Sequence, residues 1–556
     1  VVGRGLPPLS TRRGYSWFAH KDIPVYFMPH PASVYGNRLL RSQFEDDLNW
    51  CINGDTPPKP PYNSIAKCVT SEVESIAAAA DLRSCGWVAF DVETSGVMHN
   101  KHFRLLSLAA CGEGQRDAWV WDEAALLDPL VSKPILDLLA DPEVAIVGQN
   151  VKYDIAATYY ALGVETTNIY GDTRLWRRLL ESDAKASLAV QAEMVGMGGH
   201  KGEADAIVAK AVRALRKADD KAGIARKQNY KSWAYEALPR DILLRYNGRD
   251  AVSTALIAEV LDAKMKGIAP LHRIWERLVR HATSAVEQVE RWGMLIDTRA
   301  LNKLSAYLNA SQLRIESDLS KYGDVNPAST PQLSKFLFNS KSEGGLGLPV
   351  KSRTPKGAPS TGKEVLKALS GKHKAVDLLL EWRVISKMRT TYAEGLMRYI
   401  RDDSRIHPNI NIDGAASGRM SCSEPNLQNI PRSDSKEGKM VKDLFVCPEG
   451  YVLLQADYSQ LELRIAAVLS GDPEMRAIFE SGEDYHLKTA RMISKQAWGI
   501  DPDDVEKHHR SQAKTVNFGL LYGMNSAGLA HSLGITVDAA DSIKRAVLGK
   551  FKVLSK

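Results

Sequence analysis

The sequence predicts a multidomain protein of mixed α/β and α+β class, and three observations lead there. At 556 residues the chain is longer than one core organises, since single cores rarely grow past about 250–300 residues. Short apolar runs end in acidic or amide residues: Trp87–Phe90 before Asp91-Val92-Glu93, Val144–Val147 before Gly148-Gln149-Asn150, and Tyr451–Leu454 before Asp457. Such runs read as buried strands that deliver polar groups to the ends of a sheet. Elsewhere, marked side chains recur every fourth residue, the spacing of one helical face.

Composition narrows the class. Hydrophobic residues at 44% and charged residues at 25% fit a globular protein. No run of about twenty apolar residues is present, so no membrane-spanning helix and no membrane partner is expected. A formal charge of +7, from 73 basic and 66 acidic residues, permits nucleic-acid binding without requiring it. Cys51, Cys68, Cys85, Cys111, Cys422 and Cys447 show no CxxC or zinc spacing, so reduced thiols and a cytoplasmic setting are expected. The first residue is Val1 and no signal-peptide pattern follows, so the chain is expected to begin mid-protein.

In chain order, residues 1–55 carry Arg13-Gly14, then Pro24–Ser33 with His30-Pro31, then Phe44–Leu48. Residues 56–70 open with Thr56-Pro57-Pro58-Lys59-Pro60-Pro61, a stiff polyproline linker. On the strand that follows, Asp91 and Glu93 are two residues apart and point to one face. In the segments Asn150–Asp154 and Tyr246–Asp250, polar side chains four apart share a helical face. Four converging acids, Asp91, Glu93, Asp154 and Asp250, would repel one another and so imply divalent cations. Each piece alone is also an ordinary surface pattern. The charged stretch Lys201–Lys231 reads as a solvated helix.

Two later segments carry a second chemistry. Asp457, at the end of an apolar run, is placed to hold a hard cation such as Mg²⁺, and Glu462 and Arg464 follow on the start of a helix. Arg510, Lys514, Phe518 and Tyr522 form one stripe, cationic first and aromatic last. A nucleoside triphosphate has that polarity. An amphipathic helix with two exposed basic residues and a buried ring pair has the same spacing.

Together these segments resemble motifs A and B of the family A (polymerase I-like) DNA polymerases. The same resemblance is carried by Ser417-Gly418-Arg419-Met420-Ser421, by Pro425–Pro431 with Asn426, Gln428 and Asn429, by Asn326–Leu333, and by Asp484-Tyr485-His486. It covers about residues 280–556. Asp91, Glu93, Asp154, Tyr246 and Asp250 match the tyrosine subtype of the DEDD 3′–5′ exonuclease domain. The fold implied is an RNase H-like exonuclease domain at 71–262, then an incomplete right-hand polymerase domain. That domain comprises thumb and start of palm at 275–450, palm with motif A at 451–500, and fingers with motif B at 501–556. Residues 1–55 resemble the C-terminal end of a uracil-DNA glycosylase, with His30 on the loop that approaches a flipped base.

The resemblance also implies roles. Asp457 would ligate metal, Arg510 and Lys514 would hold phosphates, Lys514 serving catalysis as well, and Phe518 and Tyr522 would border sugar and base. His486 would join the nucleotide site, and Glu462 would fill the space of a ribose 2′-hydroxyl. Arg419, Asn426, Gln428 and Asn429 would contact DNA. Asp91, Glu93, Asp154 and Asp250 would bind metal, with Tyr246 orienting the attacking water. The cofactor is Mg²⁺, two ions per active site, with Mn²⁺ also usable. The partners are primer-template DNA, dNTPs and a single-stranded 3′ end. Ser417, Leu461 and Lys442 depart mildly from the usual Thr, Ile and Arg.

The family's third motif, His-Asp-Glu after an apolar strand, does not occur before Lys556. The expectation is therefore a polymerase with proofreading exonuclease whose synthetic site is incomplete in this stretch, leaving the exonuclease as the competent activity. A split-polymerase subunit and a DNA-binding nuclease without synthesis are the alternatives. The setting expected is the cytoplasm of a bacterial or phage-infected cell.

Overall fold

Six strands form the sheet on which the upstream acids sit, in the order β3-β6-β5-β4-β7-β8. In the computed structural model, which describes residues 14–17, 24–27, 66–197, 202–222 and 230–554, they are β3 (Ala66–Val69), β4 (Val88–Ser95), β5 (Arg104–Gly112), β6 (Ala118–Asp122), β7 (Ile146–Gly148) and β8 (Ile169–Asp172). An antiparallel pair, β1 (Gly14–Trp17) with β2 (Pro24–Phe27), precedes them. His30 and the proline run Pro57–Pro61 lie outside the described residues.

β4 is central, antiparallel to β5 and parallel to β7. Its near-continuous burial, Val88, Ala89 and Phe90 among it, explains why the run is apolar rather than alternating: both faces are covered. The ladder shifts register between Glu93 and Thr94, a bulge of the kind that re-aims a side chain beside a functional site.

Two helices cover the acidic end of the sheet. α1 (Lys152–Leu162) starts after Asn150, whose φ is +62°. The buried Asp172 carboxylate accepts from the amides of Val151 at 2.9 Å and Asn150 at 3.2 Å, and also from Arg174 and Leu175. One side chain thereby caps two chain reversals. α2 (Gly202–Ala222) follows. α3 (Arg240–Gly267) crosses the sheet and approaches it closely at Gly248, where an added Cβ would lie 3.0 Å from the Ala66 side chain.

Downstream, α4 (Arg280–Trp292) leads to β9 (Met294–Ile296), which pairs with β10 (Arg405–Ile406) and β13 (Phe445–Val446). The long helix Thr298–Ser320 and the helix Lys374–Lys387 share a core of Leu304, Leu308, Ile315 and Leu379. β11 (Asn409–Asn411) and β12 (Ser421–Ser423) form a separate hairpin, and the loop between them carries Arg419.

Residues 452–556 form a second compact unit, entirely helical among the described residues. Its helices include α5 (Leu461–Ser470), α6 (Tyr485–Trp498) and α7 (Lys507–Leu521), around a core of Leu463, Met475, Ile493, Val516, Ile543 and Phe551.

Several sequence expectations are corrected. Tyr451–Leu454 is not a buried strand: it has no ladder partner, and Val452 and Leu454 are 88% and 91% exposed. An apolar run cannot hold a strand without neighbours to take its N–H and C=O groups. Asn150 and Asp154 do not share a helical face, because α1 begins only at Lys152. The exonuclease region starts earlier than residue 71, since Ala66–Val69 pairs in register with β6. It also ends later than 262: Trp275 is buried in its core, edge-on to Trp176 at 5.6 Å. No division falls at residue 500, because α5 and α6 share one core with α7.

Candidate active site

Strand alternation and the bulge bring Asp91 and Glu93 to the same end of β4, facing α3. From that helix comes Asp250, one turn after Tyr246. Carboxylate oxygens of Asp91, Glu93 and Asp250 all lie within 4.8 Å of one another. Glu93, Asp250 and Tyr246 are buried. Asp154, on the first turn of α1, stands behind them; its Oδ1 accepts from the Val92 amide at 3.1 Å. Burial, and after it the charge of Asp91, raises the Asp154 carboxyl well above the usual carboxylate range. Three of the four acids expected from the sequence thus form one cluster, and Asp154 lies near enough to Asp91 to feel its charge.

An all-oxygen donor set of neighbouring carboxylates fits a hard divalent cation such as Mg²⁺ or Mn²⁺. Packed this closely without a cation, the acids would repel one another strongly.

Tyr246 projects from the α3 face that carries Asp250. Burial first, then Asp250 and Glu93, push its hydroxyl far above the ordinary phenol range. It therefore stays protonated and can orient a water but not deprotonate one.

The structure adds residues that sequence reasoning missed. Asn247 is fully buried, and its Nδ2 donates to Asp91 Oδ2 at 2.8 Å and to the Asp91 carbonyl at 3.2 Å. It fixes the orientation of one acid, and its i,i+3 offset from Asp250 was the available signal. Tyr235 lies with its hydroxyl 3.5 Å from that of Tyr246. A cleft of about 210 Å³ beside Glu93 is lined by Thr94, Tyr153, Lys231, Ser232 and Tyr235. The end of the charged stretch is thus not merely solvated: Lys231 brings a positive charge to the acids' doorway.

In the second unit, α7 carries Arg510, Lys514 and Phe518 on one stripe, and Tyr522 caps its end. Lys514 and Tyr522 are exposed and Phe518 is half-buried, so the rings are not the buried pair of an ordinary amphipathic helix. Arg510 donates to Asp484 Oδ2 from Nη2 at 2.6 Å and from Nε at 3.1 Å. The Tyr522 hydroxyl donates to Glu462 Oε2 at 2.8 Å, which joins the start of α5 to the end of α7.

His486 is buried, its Nδ1 3.0 Å from Asn517 Nδ2 and its ring 5.7 Å from that of Phe518. It lies beneath the stripe rather than on its open side. Asp457 stands on the exposed extended segment before α5 and joins no carboxylate cluster among the described residues.

In the first unit, Arg419, Asn426, Gln428 and Asn429 are exposed. The Asn426 side chain accepts from the Gln428 amide at 3.0 Å, and Gln428 Nε2 donates to the Met420 carbonyl at 3.3 Å. The two motif segments are thereby fastened together.

Residues 298–556 match the family model "DNA polymerase family A" and residues 66–266 match "3'-5' exonuclease". Residues 298–556 thus belong to the DNA polymerase family A and residues 66–266 to the 3′–5′ exonuclease family.

The chain is 36% identical over 313 residues to the thermostable DNA polymerase I of Thermus filiformis, covering 55% of this chain and 36% of that protein. To DNA polymerase I of Pseudomonas aeruginosa it is 32% identical over 411 residues, 73% of this chain and 42% of the relative. To that of Rhizobium leguminosarum it is 30% identical over 497 residues, 84% and 46%. The chain thus spans less than half the length of these relatives. Among solved structures, the POL domain of Pol1 from M. smegmatis, in complex with DNA primer-template and dNTP, is similar in fold. Its TM-score is 0.68 at 24% identity, covering 88% of this chain and 77% of that one. No described helix is long and apolar enough to cross a membrane.

Proposed function

We propose that the region 66–279 hydrolyses the terminal phosphodiester at the 3′ end of a DNA strand, using Mg²⁺ held by Asp91, Glu93, Asp154 and Asp250. The observation that carries this reading is the approach of Asp91, Glu93 and Asp250 oxygens to within 4.8 Å. When bound, paired cations supply an activated water and neutralise charge on the attacked phosphate. The protein's own work is positioning. Asn247 holds Asp91 in one rotamer. Tyr246, kept protonated, aligns the water. Lys231 offers its ammonium to the incoming phosphate, and Tyr153 and Tyr235 give the terminal sugar and base apolar surface.

Residues 298–556 supply elements of template-directed synthesis from dNTPs. Arg510 and Lys514 suit a triphosphate, and Phe518 and Tyr522 suit the nucleoside beyond it. Glu462, tied to Tyr522, fills the volume a ribose 2′-hydroxyl needs. Asp457 serves as a metal ligand of that reaction, and Arg419, Asn426, Gln428 and Asn429 contact primer-template. The exposed apolar run 451–454 favours a companion reading for synthesis: a further segment, from elsewhere in a longer protein or from a second chain, pairs with this run beside Asp457. The setting of both reactions is a cytoplasm that holds the DNA.

The test is trimming of a 5′-labelled single strand in Mg²⁺. The parent chain shortens it one nucleotide at a time from the 3′ end, and Asp91→Asn with Glu93→Gln reduces the rate at least a hundredfold. Trimming that survives this double substitution overturns the assignment.

A further inference from the structure

Apart from the nuclease acids, one other group of ligating side chains converges among the described residues: His99, Asp403 and His407. Their candidate donor atoms all lie within 4.8 Å of one another. His99 is on the loop between β4 and β5, whereas Asp403 and His407 flank β10, some three hundred residues later. Asp403 Oδ2 is 2.9 Å from His407 Nε2 and 3.9 Å from His99 Nδ1. The two imidazoles stack with centroids 3.5 Å apart.

The hydrogen bonding of His407 poses a definite question. Its Nδ1 lies 2.8 Å from the backbone carbonyl oxygen of Glu290. A carbonyl only accepts, so Nδ1 carries the proton. In a neutral ring, Nε2 then presents its lone pair to the Asp403 carboxylate, acceptor against acceptor. Something positive must stand between them, either a proton or a metal ion.

A proton would satisfy His407 alone. A metal ion would also engage the second imidazole, brought to the same carboxylate from a distant segment. His99 is held at φ +66°, a left-handed conformation that is uncommon for a non-glycine residue and persists where the surroundings impose it. An Nδ1–H bonded to a carbonyl, with Nε2 directed inward, is the outer-sphere arrangement that ligating histidines adopt.

We propose that His99, Asp403 and His407 bind one divalent cation of the zinc class, pinning the loop after β4 to the segment around β10. Two imidazoles and one carboxylate select Zn²⁺ or Co²⁺ over Mg²⁺, which prefers an all-oxygen shell. The site is therefore chemically distinct from the nuclease acids. Binding requires the stacked rings to splay so that both lone pairs meet one point, with the His407 Nδ1–H still on the Glu290 carbonyl. The remaining coordination position opens on a cavity of about 580 Å³, lined in part by Lys152, Tyr153, Glu290 and Arg401. The same two segments are already joined through backbone: the Asp402 amide donates to the His99 carbonyl at 3.3 Å, and the Lys101 amide to Asp402 Oδ2 at 2.7 Å. The ion would reinforce this seam.

The probe is Co²⁺ titrated into the chelator-stripped chain and followed by visible absorption. The expected result is one strong ligand-field band set that saturates at one equivalent, persists in excess Mg²⁺, and disappears when Zn²⁺ is added. Asp91→Asn with Glu93→Gln should leave it unchanged, while Asp403→Asn and His407→Ala should each weaken binding at least tenfold. Asp403 is partly exposed, so Asp403→Asn decides the matter even if His407→Ala fails to fold. Absence of the band in the parent chain, or a band indifferent to Asp403→Asn, overturns the proposal and leaves His407 as a protonated partner of Asp403.

Discussion

Replacing Lys152 by Met should disable the junction that holds the Asp154 helix in place. Lys152 is the first residue of α1, and its ammonium donates to the Glu290 carboxylate on α4, to Asn409 Oδ1 at 3.1 Å and to the Ile410 carbonyl at 2.8 Å. The side chains of the ion pair are only 8% and 18% exposed. Removing one member of a buried pair costs about 3–5 kcal/mol, because the other charge remains without its partner. Glu290 keeps the hydrogen bond from the Ile410 amide and some solvent, which brings the expected loss to about 2–3 kcal/mol.

Burial raises the Glu290 carboxyl above its ordinary range, and Lys152 opposes that rise. Without Lys152 the carboxyl climbs further. Protonation then relieves the unpaired charge, so the defect should be largest at alkaline pH and shrink toward pH 5. Urea unfolding followed by far-ultraviolet circular dichroism measures it. Lys152→Met with Glu290→Gln should recover at least half of the loss, because the orphaned charge has gone. If Lys152→Met costs under about 0.5 kcal/mol, or if the two substitutions add without coupling, the reasoning fails.

Three further outcomes are expected. Gly171→Ala should destabilise the exonuclease region by about 1–3 kcal/mol, since the new Cβ would sit 2.3 Å from Trp176 Cη2; an unchanged thermal midpoint would count against the packing described. His486 is held down to about 4, chiefly by burial, with Arg510 and Lys514 adding to the shift and Asp484 opposing it. Its unfolded pKa is higher, so the unfolded state takes up the proton first and stability should fall as pH drops from about 6.5 toward 4. His486→Asn should flatten that slope in melts at pH 7.5, 6 and 5. Affinity for primer-template should fall steeply with salt in fluorescence-anisotropy titrations, log Kd changing linearly with log salt; salt-insensitive binding would contradict the DNA reading.

What could be read from the residues depended on how locally each feature is determined. Asp91 and Glu93 were legible because strand alternation alone puts them on one face, and Tyr246 with Asp250 because one helical turn separates them. The stripe from Arg510 to Tyr522 was legible for the same reason.

Features that depend on distant partners were not. Tyr451–Leu454 has strand composition, but a strand exists only where a ladder neighbour does, and none pairs with it here. Asn247 shows in the sequence only as an offset of three from Asp250, its partner Asp91 lying far upstream; Lys231 stands beside Thr94 and Tyr153, also far up the chain, so no spacing rule exposes it. The membership of Trp275 in the exonuclease core was hidden likewise: its partner Trp176 lies about a hundred residues upstream, and the helix between gives no sign of the return.

The most direct test of the central claim is electron paramagnetic resonance of Mn²⁺ bound to the chain with a non-hydrolysable single strand in place. Two ions bridged by Asp91 and its neighbours at about 3.5–4 Å should give an exchange-coupled spectrum, which collapses to isolated-ion lines in Asp91→Asn. A parent chain that shows only uncoupled Mn²⁺, or none, would mean that the four acids do not assemble a two-metal centre.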